Sequence, residues 1–74
     1  MGLRVECRHD ELGPVPMRFG DGEPLQEVEE ILDRWWGDDH AYFRVRTRDG
    51  ATWILRRDAS SRWQVAVFDS AAGP

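Results

Sequence analysis

The sequence has no lysine, a single cysteine, two histidines and no long apolar run. Each absence narrows the field. One thiol, Cys7, cannot make an internal disulfide, so no bridge staples the fold. No Cys/His spacing matches a structural zinc site, so no metal centre is expected. No apolar stretch approaches the roughly 20 residues that cross a bilayer. The first residues lack the apolar core of a secretory signal, and Glu6 stands where a myristoylation signal needs Ser or Thr. A lone thiol and no targeting segment lead to a cytoplasmic expectation without a membrane partner. The chemistry is sparse as well. There is no Ser-His-Asp set, Gly-rich phosphate loop or paired histidine, and Cys7 sits on the apolar face of an alternating stretch. We therefore expect no enzyme, no catalytic residue and no cofactor.

What is present is a compact set of apolar and charged residues. The chain has 74 residues, 41% hydrophobic, with four Trp. A domain of this size buries only about 60% of its unfolded surface, so the aromatic residues must carry the core. The net charge of −4 is unevenly placed. The first half is strongly acidic, and the second half is locally basic through Arg44, Arg46, Arg48, Arg56, Arg57 and Arg62. All ten basic residues are arginine. That is the outcome of a G- and C-rich genome or of a need for bidentate contacts.

Period-two alternation marks most of the chain as β. Leu3, Val5 and Cys7 share one face of a first strand. Gly13-Pro14-Val15-Pro16 interrupts it, Met17 to Phe19 forms a short second strand, and Gly20-Asp21-Gly22 turns. Further on, Phe43, Val45 and Thr47 alternate against Tyr42, Arg44 and Arg46. Asp49-Gly50 is a turn signal. A three-residue loop, Arg48-Asp49-Gly50, opposes Phe43 with Leu55 and Val45 with Trp53, whereas a two-residue loop would mix the faces. A five-residue loop over 58–62 then sets Val65 across from Leu55 and Val67 across from Trp53. The result is a C-terminal three-stranded meander whose core face is Phe43, Val45, Trp53, Leu55, Val65 and Val67. One globular domain over 1–69 and a disordered tail over 70–74 complete the layout.

Residues 23–36 read differently. Leu25, Val28, Ile31, Leu32 and Trp35 fit a helical stripe, with Pro24 near its start, Arg34 near its end and Gly37 after it. Local physics alone favours a helix here.

A wider pattern pulls toward strand. Pro16-x-x-Phe19, a glycine turn, Val28-x-x-Ile31-Leu32-x-x-Trp35, a Phe43-Arg44-Val45 strand and a closing Arg62-Trp63-x-Val65 come in that order. This arrangement resembles a family of small bacterial domains of unknown function, some of which form tails on proteins similar to translesion DNA polymerases. The resemblance implies an extended 25–35 and a mainly β fold, a small SH3-like antiparallel barrel. The alternative is α+β, with one helix near 24–36 packed on the meander.

Five residues are candidates for binding. Tyr42, Arg44, Arg46 and Arg56 share a sheet face with Ile54, an arrangement suited to phosphate and base stacking or to a solvated face paired with the acids of 21–39. Trp36 follows Trp35, and in a strand two adjacent Trp cannot both face the core. The acidic run (Glu23, Glu27, Glu29, Glu30, Asp33, Asp38 and Asp39) reads as a solvated face. His9-Asp10 and Asp38-Asp39-His40 are too loosely spaced to indicate a metal site. The expected function is a small interaction module that binds another protein through this aromatic and arginine surface. A single-stranded nucleic-acid-binding accessory domain linked to DNA damage tolerance is the alternative, disfavoured by the net negative charge. A homodimer closed through a strand edge is a third possibility.

Overall fold

The computed structural model describes residues 2–69; the tail expected at 70–74 lies outside them. Six strands run in chain order: β1 (Arg4–Asp10), β2 (Gly13–Gly20), β3 (Gln26–Trp36), β4 (His40–Thr47), β5 (Thr52–Asp58) and β6 (Trp63–Asp69). Each pairs antiparallel with its sequence neighbours, giving one sheet of order β1-β2-β3-β4-β5-β6 that curls into a half-barrel. No helix occurs among the described residues, so none is long and apolar enough to cross a membrane.

Residues 26–36 form a strand, which overturns the helical alternative. The apparent helical stripe has a specific origin. β3 pairs Val28 with Thr47, Ile31 with Val45 and Arg34 with Phe43, and the register slips once between Val28 and Glu30 and again between Ile31 and Asp33. Glu29 and Leu32 are the extra residues of two β-bulges. Each bulge adds one residue to the strand's period of two, so inward positions recur every third residue. Val28 and Ile31 pack on the core, while Leu32 is pushed out, 36% exposed.

The meander register is as the loop chemistry dictates. Phe43 faces Leu55 and Val45 faces Trp53. Gly50 takes φ 88°, and the Thr47 N–H donates to the Ala51 carbonyl across Arg48-Asp49-Gly50. The β5–β6 turn repeats this geometry. The Asp58 N–H donates to the Arg62 carbonyl, and Ser61, at φ 65°, takes the left-handed place that Gly50 fills in the first turn. A left-handed non-glycine residue costs roughly 1–2 kcal/mol. Ser61→Gly should therefore raise stability by about 0.5–1 kcal/mol, and Gly50→Ala should lower it by about 1 kcal/mol or more. Urea midpoints of the two variants, moving in opposite directions, would check this.

β6 departs from expectation. Val65 opposes Leu55, but a bulge at Ala66 shifts the last three residues of the strand, so Val67 opposes Ile54 and Phe68 opposes Trp53. Val67 thus leaves the core face and is 51% exposed. Phe68 turns to the inner face instead, its ring 4.3 Å from that of Trp53, but it stays more than half exposed. β2 also begins earlier than the prolines imply. Pro14 and Pro16 pair with β1, while β3 reaches β2 only at Arg18 and Phe19. The prolines thus lie where β2 has one free side, the place a sheet tolerates residues without an N–H.

The core is centred on Phe19, Ala41, Phe43, Val45 and Leu55, with Leu3, Val5, Val28, Ile31, Trp53 and Trp63 packed against it. Among the described residues its one buried polar side chain is Thr47. The Thr47 hydroxyl accepts from Trp53 Nε1 at 3.1 Å and donates to Asp49 Oδ1 at 2.6 Å. Asp49 Oδ1 in turn accepts the Ala51 N–H at 3.1 Å. This network ties the first turn to the core and holds the Asp49 carboxyl below its usual range.

Candidate functional site

The bulges of β3 determine which side chains reach the outer face. Past the second bulge, Trp35 pairs with Tyr42, and Tyr42 pairs with Arg56, which pairs with Gln64. Opposed residues in a sheet share a face, so these four form one row across the outside of β3–β6. The next row is Asp33, Arg44, Ile54 and Val67; the one after is Glu30, Arg46, Thr52 and Asp69.

Tyr42, Arg44, Arg46 and Arg56 therefore stand together, as expected. Their environments differ. Trp35 and Tyr42 stack with their ring centroids 5.2 Å apart and their planes within 1° of parallel. The His40 ring lies 6.1 Å from Tyr42. Gly37 completes the stack from the turn. Its N–H donates to the His40 carbonyl at 2.8 Å, and a Cβ there would stand 2.9 Å from Tyr42 Cε1. Only glycine leaves room for the ring.

Arg44 is exposed and makes no side-chain hydrogen bond or ion pair among the described residues. Arg46 is already engaged: it pairs with Glu29 at 3.3 Å and also with Glu30. Arg56 donates through Nη2 to Gln64 Oε1, while its Nε is buried without a partner. The free cationic part of the face is therefore Arg44 with the outer rim of Arg56.

Trp36 lies elsewhere. It pairs with Ala41, which belongs to the inner face, at the open end of the sheet, and it is 56% exposed. There it walls a recess of about 240 Å³ with His40, Arg57 and Asp58. Its neighbour Trp35, 36% exposed, is the tryptophan on the arginine face. Residue types alone identify the pair and require one of them to be exposed. The choice between them depends on the bulges.

The glutamates of the acidic run go into ion pairs, while Asp33, Asp38 and Asp39 make none among the described residues. Glu23 meets Arg4 at 3.4 Å, Glu27 meets Arg18 at 2.8 Å, and Glu29 and Glu30 flank Arg46. No three His, Cys, Asp or Glu side chains among the described residues are placed to hold one metal ion. The Cys7 thiol is half-buried, and burial pushes its pKa up, toward the inert protonated form.

Arg34 has the sequence position of an ordinary charge near a helix end; in the structure it points inward. Its guanidinium carbon lies 5.2 Å from the centre of the Phe43 ring. Nη1 and Nη2 donate to the two carboxylate oxygens of Asp10 at 2.8 and 3.2 Å. This bidentate pair clamps the β1–β2 turn onto β3 and draws the Asp10 pKa down to about 2. No feature of the sequence marks an arginine as inward-facing.

In comparison with protein families, curated proteins and solved structures, the chain matches none of them.

Proposed function

We propose that this chain is a small protein-interaction module that docks a partner on the outer face of β3–β5. The observation that carries the reading is the Trp35–Tyr42 stack beside the unpaired Arg44. Aromatic and arginine side chains dominate contact energies at protein interfaces. The stack offers a stiff apolar surface held by β3, β4 and the Gly37 turn, so little entropy is lost on docking. Arg44 and Arg56 supply directional donors at its rim. The matching partner presents an apolar side chain next to a carboxylate. We read the half-barrel as SH3-like, and a single thiol held half-buried suits a reducing, cytoplasmic compartment.

Trp35→Ala and Arg44→Ala are each expected to weaken capture of a partner by about tenfold or more. Arg46→Ala should change it little, because Glu29 and Glu30 already occupy that side chain. A partner recovered equally well by wild type and by both variants would place the docking surface elsewhere, with the Trp36 recess the next region to test.

The second reading is a single-stranded nucleic-acid binder, in keeping with the resemblance to polymerase-associated tails. It is favoured by the same stack and by Arg44, and opposed by the capture of Arg46 and the net charge of −4. Amide shifts at Tyr42, Arg44 and Arg56 on adding a short single-stranded DNA, fading as salt rises, would put it first.

A further inference from the structure

The half-barrel has two edge strands, and they are protected very differently. β1 presents Arg4, Glu6, Arg8 and His9 along its length. Charge on an edge is a common guard against strand pairing. β6, Trp63-Gln64-Val65-Ala66-Val67-Phe68-Asp69, carries no charge until its last residue. Val65, Val67 and Phe68 are 41%, 51% and 53% exposed. Isolated exposed apolar residues are ordinary; three within four positions on an unpaired edge are not. Among the described residues only β5 pairs with β6.

We propose that β6 is a homodimerisation edge, pairing antiparallel with β6 of a second copy so that Arg62 lies opposite Asp69, Trp63 opposite Phe68 and Gln64 opposite Val67. The Ala66 bulge makes this register possible. In an antiparallel pair, opposed side chains must share a face. Trp63 opposes Arg57 on the inner face, and Phe68 opposes Trp53, also inner. Gln64 and Val67 oppose Arg56 and Ile54, both outer. Without the extra residue, positions five apart would lie on opposite faces and this pairing would be forbidden. With it, the strand is self-complementary about a two-fold axis.

Charge selects the same arrangement. Each copy carries a net charge of −4, so the association of two copies is opposed on average by like charge. The β6 edge is neutral along its middle, and this register joins the two ends by Arg62–Asp69 pairs. Space is available too. An open cleft of about 600 Å³ separates the start of β6 from Leu3, lined by Arg62, Trp63, Gln64 and Val65. The second copy's Phe68 and Asp69 would enter it.

Sedimentation of the full chain tests the proposal. A single strand pair is a small interface, so a monomer–dimer equilibrium with Kd on the order of 10–100 μM is expected. Arg62→Asp and Asp69→Arg should each weaken it about tenfold, since each change places like charges opposite one another twice per dimer. The double variant should return Kd to within about twofold of wild type, because the swap restores both pairs. In the β5–β6 turn Arg62 serves through its backbone N–H, and Asp69 ends an exposed strand, so circular dichroism should be unchanged in all three. Monomer throughout at about 500 μM would overturn the proposal. So would a dimer indifferent to the single changes, or one that the double swap fails to restore.

Discussion

Phe43→Ala is expected to leave much of the chain unfolded at room temperature. Phe43 is 1% exposed and lies at the centre of the core. It opposes Leu55 across β4–β5, its ring is 5.6 Å from Trp63, and Arg34 sits over it. Truncating a buried Phe costs about 3–5 kcal/mol through lost transfer energy and the remaining cavity. A domain of this length has only roughly 5 kcal/mol to lose. The substitution also removes the surface on which the Arg34 guanidinium rests, so the clamp on Asp10 loses its support. Phe43→Leu, which keeps most of the volume, should cost about 1–2 kcal/mol and stay folded. Urea titrations of both variants followed by tryptophan fluorescence would measure this, and a cost below about 2 kcal/mol for the alanine would show that Phe43 is not the hub described.

The second large effect concerns acid. Asp10 has its pKa drawn from 3.8 to about 2 by the Arg34 hydrogen bonds, with a smaller part from the Leu12 N–H. A folded-state pKa below the unfolded value means stability that is complete above the unfolded pKa and lost as pH falls through the folded one. The loss should therefore fall between about pH 4 and pH 2. Glu6, Asp49 and Asp58 are lowered as well, through Arg18, Thr47 and the Arg62 N–H respectively, and act in the same direction. Asp10→Asn should be less stable at neutral pH and show a shallower decline on acidification. Arg34→Ala should flatten the profile similarly and cost more, about 2 kcal/mol or roughly 10 °C in Tm, because it also gives up contact with Phe43. Thermal melts from pH 7 to pH 2 supply the comparison. An Asp10→Asn profile parallel to wild type would remove this ion pair from the acid response.

The contrast between β4–β5 and β3 shows where the sequence is legible. Asp49-Gly50 and the alternation around it determine loop length, register and faces, so residue types alone place Tyr42, Arg44, Arg46 and Arg56 on one face. Alternation describes regular strands, and a bulge breaks it without a distinctive residue type. Glu29 and Leu32 in β3 and Ala66 in β6 are unremarkable as side chains, yet each inverts the facing of the residues after it. That is why Val28, Ile31 and Arg34 imitate a helix, why Val67 reads as a core residue, and why Trp35 rather than Trp36 joins the arginine face. Arg34 escapes notice for another reason. Its inward position is stabilised by Asp10, 24 residues away, and a contact over that distance leaves no local pattern.

The neighbour-only strand order also bears on how the chain reaches this state. Slow folding in β proteins comes largely from closing long loops before distant strands can reward the closure. Here every strand finds its partner across a short connection, so the sheet can assemble as successive hairpins. The most economical starting point is β4–β5, which has a short loop, the buried Thr47 network and the best-packed residues. The β1–β2 hairpin joins the rest of the sheet through two residue pairs at the start of β3, and its far end through the Asp10 clamp. It is therefore expected to dock last and to open first, so that hydrogen exchange should be faster across β1–β2 than across β4–β5.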